Sequence, residues 1–215
     1  MKSSELLPRS GVSAERRHLP RQRDNGGGLP TRRYALILFA LAAHLATGCT
    51  HNMKLKVKDA ARIGVPLTEK VPMHVGLMLN TNYTALSFMW DNHMGDKFFF
   101  PFGPVLKTNA MRVCEAAFTQ VTVSTNGVVP AGVDAVLTPE MHKVGFGVGR
   151  KVMFTLLTEW TLRDRDNRNI LWMTTAAGMA TNDFGKVSQQ LLDDLSTKQY
   201  RAFTTAPEIR RLGRR

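Results

Sequence analysis

The sequence predicts an α+β domain in which a largely antiparallel sheet of five to six strands carries two packed helices. Three observations support it. Val152, Phe154, Leu156, Trp160 and Leu162 recur at even spacing, the period of a strand with one buried face, and Thr158 alone interrupts them. Leu106, Ala110, Val113 and Ala117 recur instead at steps of four, three and four, the stripe of a helix. The order of elements runs strands, helix, several strands, helix, which groups like elements together rather than alternating them singly.

Residues 74–80 form a compact apolar run closed by Asn80-Thr81-Asn82. Residues 84–90 alternate so that Leu86, Phe88 and Trp90 share a face, and both runs read as strands. Asp91-Asn92-His93-Met94-Gly95-Asp96 supplies a turn, and residues 97–102 return as an aromatic strand with Pro101 at its edge or end. Gly103-Pro104 opens the first helix, because a proline at the first helical position lacks only an N–H that would have no partner there. Residues 120–124 read as a strand entered from that helix, with Asn126-Gly127, Pro130 and Gly132 in the following loop. Residues 135–148 form a further strand that Pro139 and the glycines at 145, 147 and 149 make irregular. Residues 152–162 and 169–181, joined by a polar turn at 163–169, make a second hairpin held by cross-strand packing. Asn182 or Asp183 caps a final helix whose buried stripe is Phe184, Val187, Leu191 and Leu195.

Ahead of this domain, residues 34–48 form an apolar run that follows the basic pair Arg32-Arg33 and is broken only by His44. It is shorter than the roughly 20 residues that a bilayer-spanning helix needs and suits the core of an export signal. The sequence Leu45-Ala46-Thr47-Gly48-Cys49 resembles a lipobox, although Ala46 stands where that family usually places leucine. The resemblance implies a bacterial lipoprotein cut before Cys49, which then carries the lipid. Thr50 follows in place of the aspartate that resembles an inner-membrane retention signal, so the expected location is the outer membrane, facing the periplasm. The expected layout is a cleaved signal over 1–48, a lipidated N-terminus and tether over 49–72, the α+β domain over 73–205 and a basic tail over 206–215.

The chain holds 29 basic and 17 acidic residues, of which eight and three lie in positions 1–48, leaving a net charge of +7 on the remainder. That excess favours anionic surfaces by long-range attraction but specifies no ligand. Arg210, Arg211, Arg214 and Arg215 account for part of it and read as a solvated tail, and no nucleic-acid partner is expected. With Cys49 committed to lipid, Cys114 has no intramolecular disulfide partner and sits in an apolar helical pattern as a small buried side chain.

No Gly-x-Ser-x-Gly elbow, His-Glu-x-x-His pair or Cys-x-x-Cys pair occurs. Gly145-Phe146-Gly147-Val148-Gly149-Arg150 has the glycines of a phosphate loop without the Lys-Ser/Thr that must follow, and reads as an irregular edge or mobile loop. Asp91, His93 and Asp96 are metal-ligand types, but their setting is that of a hairpin turn. Glu159 is the one acidic residue in its strand, opposite the apolar face and therefore solvent-facing. No catalytic, cofactor or metal residue is expected. The run Phe98-Phe99-Phe100-Pro101-Phe102 populates both faces of its strand, which makes Phe98, Phe100 and Phe102 a candidate partner surface unless both faces are covered.

Val75-Gly76-Leu77-Met78-Leu79, Phe99-Phe100-Pro101-Phe102-Gly103, Ala116-Ala117-Phe118 and Val121-Thr122-Val123 together resemble a pattern of small envelope lipoproteins. These are accessory lipoproteins of export and outer-membrane assembly systems, including those of curli and polysaccharide secretion. The resemblance implies a non-enzymatic subunit that meets the membrane through its lipid and a protein partner or further copies of itself. The alternative is an anchored enzyme or a binding protein for a glycan or anionic ligand, whose site would unite His93, His142 or Glu159 with other polar groups.

Overall fold

The computed structural model describes residues 50–52, 61–91 and 97–214. In chain order the elements are β1 (Thr50–Asn52), β2 (Val71–Met78), α1 (Thr81–Thr84), β3 (Ser87–Asp91), β4 (Lys97–Pro101), α2 (Gly103–Ala117), β5 (Phe118–Ser124), β6 (Ala135–Val148), β7 (Val152–Asp164), β8 (Ile170–Asn182), α3 (Phe184–Thr205) and α4 (Pro207–Leu212). The fold is α+β, as the sequence predicts. The main sheet has the order β5-β2-β6-β7-β8, and a smaller one has the order β1-β4-β3. Short parallel ladders join β2 to β5 and β6, whereas the long ladders β6–β7 and β7–β8 are antiparallel.

The even-spaced run forms β7, and Phe154, Leu156, Trp160 and Leu162 are all fully buried beneath the helices. The stripe Leu106, Ala110, Val113 and Ala117 is equally buried on α2, as are Val187, Leu191 and Leu195 on α3. Thr158, the interruption in β7, is buried too, and polar groups on α2 and α3 answer it. Its hydroxyl donates to the Ala176 carbonyl at 3.2 Å and accepts from Gln199 Nε2 at 3.2 Å. Gln199 Oε1 accepts from Asn109 Nδ2, and Asn109 Oδ1 in turn accepts from the Ser196 hydroxyl. One buried network therefore ties both helices to the central strand, as a buried polar group requires.

Several boundaries differ from the expectation. Residues 81–84 form a helical turn that takes Thr84 out of the expected strand, and Asn80 caps it by accepting the Tyr83 N–H at 2.7 Å. The strand that follows is correspondingly short, with Phe88 and Trp90 inward and Ser87, Met89 and Asp91 outward. Phe118 begins β5, two residues ahead of the expected strand over 120–124. Gly103 lets the start of α2 lie against α1, since a Cβ there would stand 2.1 Å from the Thr84 carbonyl oxygen.

Within the expected tether over 49–72, the described residues 50–52 and 61–72 are held by the domain. Thr50–Asn52 pairs in parallel with β4. Residues 61–70 lie along α3, where Asp193 accepts the Arg62 N–H at 2.7 Å, Thr197 that of Gly64 at 2.8 Å and the Tyr200 hydroxyl that of Thr68 at 2.7 Å. Backbone groups that would be solvated in a free linker here have protein partners. The expected tail over 206–215 is likewise not free: α4 buries Ile209 completely, and Arg210 Nε donates to the Thr204 carbonyl at 2.6 Å. Gly145 and Gly147 belong to a paired segment of β6, opposite Thr155 and Met153, rather than to an edge or a loop. Among the described residues no helix is long and apolar enough to cross a membrane.

Candidate functional site

The aromatic strand β4 lies in the middle of the small sheet, and its inward residues join an aromatic cluster with the main sheet. Phe100 meets Phe146 at 5.2 Å and Phe154 at 5.3 Å between ring centroids, and Phe102 meets Phe154 at 5.5 Å. Phe100 and Phe102 are each only 1% exposed, so they are core residues and not a partner surface. The small sheet covers the end of the β6–β7 hairpin and needs these rings to fill the contact. Phe98 is half-buried and packs on Trp90 at 5.2 Å. Cys49, His93 and Asp96 lie outside the described residues, and Asp91 is exposed, opposite Lys97.

Cys114 is fully buried on α2. Burial first, and the neighbouring Glu115 charge second, push its thiol well above the ordinary range, which keeps it protonated and unreactive. Tyr83 is similarly pushed up by burial and then by Cys114, and its hydroxyl has no hydrogen-bond partner among the described residues.

The open face of the main sheet brings together residues that the sequence left apart. Counting back from the β6–β7 closure, where Val148 faces Val152, the pairs continue regularly to Lys143 and Leu157. A regular continuation would set His142 opposite Thr158, on the buried side. A bulge between Met141 and Lys143 prevents this: Met141 takes the place opposite Thr158, and His142 is released to the open face. The bulge keeps an imidazole out of the apolar core and shifts the register by one residue, so that Glu140 stands directly opposite Glu159. His142 Nε2 lies 3.3 Å from Glu159 Oε2, and ligand-type atoms of Glu140, His142 and Glu159 all fall within 4.8 Å of one another. The Glu159 side chain is 23% exposed and that of His142 45%. Glu159 is thus on the face expected of it, but in company that its own strand does not reveal. The spacing Glu140-x-His142 is visible in the sequence, whereas the bulge that aims both residues at Glu159 is not.

A groove of about 250 Å³ runs between the start of β2 and α4, lined by Thr68, Glu69, Lys70, Pro72, Arg210 and Arg214. Two of the arginines expected on a solvated tail are therefore placed beside Lys70 by the fold.

These features describe a mixed α+β domain with one face of its sheet covered by helices and the other open. No family model matches the chain, and no curated protein matches it significantly in sequence. Solved structures share parts of the architecture. A protein of family DUF330 from Xanthomonas campestris is 9% identical with a TM-score of 0.45, over 74% of this chain and 94% of that one. The PelC dodecamer from Paraburkholderia phytofirmans is 14% identical with a TM-score of 0.41, over 60% and 89%. A minor lipoprotein from Acinetobacter baumannii is 15% identical with a TM-score of 0.40, over 63% and 94%.

Proposed function

We propose that this chain is a lipid-anchored protein of the bacterial envelope, acylated on Cys49, and that its domain is a non-enzymatic accessory or structural subunit of an export or assembly complex. The observation that carries the reading is the apolar run 34–48, preceded by Arg32-Arg33 and ending in Ala46-Thr47-Gly48-Cys49. Its length suits a cleaved signal, and small residues precede the cysteine as the processing chemistry needs. The non-enzymatic part is supported by the complete burial of Cys114, which withholds that thiol from any substrate. The proposed location is the outer membrane facing the periplasm, and the proposed partners are an envelope protein or further copies of this chain.

On this reading the lipid would begin one residue before β1. The domain would then ride close to the bilayer surface, because the pairing of Thr50–Asn52 with β4 takes up the slack that a free tether would supply. The test is intact mass and membrane fractionation of the wild type and Cys49→Ala in a bacterial host. Wild type is expected to lose residues 1–48, gain diacylglycerol mass and sediment with membranes, while the variant stays unlipidated. An unlipidated wild type sinks the reading.

A further inference from the structure

We propose that Glu140, His142 and Glu159 form a three-ligand site for a zinc-class divalent metal ion on the open face of the sheet. The inference is independent of the lipid anchor. Metal–ligand bonds of about 2.0–2.1 Å in a tetrahedral zinc site set neighbouring ligand atoms roughly 3.3 Å apart. His142 Nε2 and Glu159 Oε2 already stand at 3.3 Å, and the Glu140 carboxylate lies within 4.8 Å of both, a gap that side-chain rotation closes. The donor set selects the metal: two carboxylates alone would suit magnesium or calcium, but an imidazole among them favours zinc and its neighbours. Three protein ligands leave a fourth position for water or for a group from another molecule.

The pairing itself also calls for a cation. Glu140 and Glu159 are directly opposed across the β6–β7 ladder, an arrangement in which like charges destabilise a sheet. A divalent ion held between them balances both carboxylates. Lys143 is exposed on the same face opposite Leu157, so the site is not a purely acidic field, and binding depends on direct coordination rather than on diffuse attraction.

The full chain, purified without an affinity tag, is titrated with zinc chloride by calorimetry and with cobalt(II) by visible absorption. The expected result is one equivalent bound, with affinity reduced at least about tenfold in His142→Ala and in Glu159→Gln, and unchanged in His74→Ala. His74 is a suitable control because its imidazole is engaged with the Thr122 hydroxyl at 2.8 Å, away from the site. Glu140→Gln separates a ligand from a structural residue: it should raise the melting temperature of the metal-free protein by relieving the opposed charges, yet lose the further rise that zinc gives the wild type. Absence of saturable binding overturns the proposal. So does zinc affinity that His142→Ala leaves unchanged, or a Glu140→Gln protein that keeps the full zinc-induced rise.

Discussion

The two faces of β7 are made by alternate residues of a single segment, yet they obey different rules. On the covered face Phe154, Leu156, Thr158, Trp160 and Leu162 are all fully buried, and even the one hydroxyl among them has both its hydrogen-bond roles filled. On the open face Met153 is 42% exposed, Thr155 and Leu157 are half-buried, and Glu159 reaches toward His142. The covered face is fixed by volume and by the hydrogen bonds of Thr158, while the buried Trp160 indole N–H has no partner among the described residues. The open face is free to hold charge, which is where the only His/carboxylate cluster with metal-ligand spacing among the described residues is found.

The comparison is broken most severely at Trp160, whose indole packs edge-on against Phe203 at 5.0 Å. Trp160→Ala should cost about 3–5 kcal/mol in urea unfolding, while Met179→Ser on the open face should stay within about 0.5 kcal/mol of wild type. Equal losses at the two positions would mean that something covers the open face. A smaller effect sharpens the role of the polar network. Thr158→Val keeps the shape but leaves Gln199 Nε2 without its acceptor, so it should cost about 1–3 kcal/mol, and Thr158→Ser should restore most of the loss.

The smallest effect belongs to neither face. Asp164 ends β7 and organises the turn into β8: its carboxylate accepts the Arg168 N–H at 2.7 Å and the Asn169 side-chain amide at 2.6 Å. The Arg168 backbone N–H is the main cause holding this carboxyl below its usual range, with Asn169 and the Arg168 charge adding to it. A lowered folded pKa gives stability that is fully present above the ordinary carboxylate pKa and is lost as pH falls through the folded value. Asp164→Asn should therefore melt slightly below wild type at neutral pH, and the difference should disappear in acid. A gap that persists at low pH would assign the effect to the turn's shape rather than to the charge.

What was legible in the sequence divides along the same line. Periodicity places Phe154, Trp160, Leu106 and Val113 in the core because burial acts on every second or every third to fourth residue, and that signal is local. Thr158 looks like a break in the pattern because Gln199, which donates to it, and Asn109, which in turn donates to Gln199, lie on helices far away in the chain. The aromatic run at 98–102 misleads for a related reason: consecutive phenylalanines show that large apolar surface must be covered, but not that Phe146 and Phe154 cover it. The Glu140–His142–Glu159 cluster depends on a single extra residue in β6, and a one-residue change of register carries no periodic trace. The arginines at 210–215 read as a tail because charge dominates their composition, and one buried side chain, Ile209, is enough to hold a short helix in place.

Strand β8 borders the main sheet, and a border of that length is where another polypeptide can lay down a strand of its own. Here α3 closes it from within the same chain: Asp194 takes the outward N–H of Met179 at 2.9 Å, and Lys198 reaches the outward carbonyl of Ala177 at 2.9 Å. The two side chains, themselves paired at 2.8 Å, stand in for the strand that would otherwise continue the sheet. Growth by strand addition is thereby stopped at the middle of β8, and a newcomer would have to displace an ammonium and a carboxylate before forming its first ladder bond. Any assembly this protein enters by that route has to begin away from Ala177–Met179.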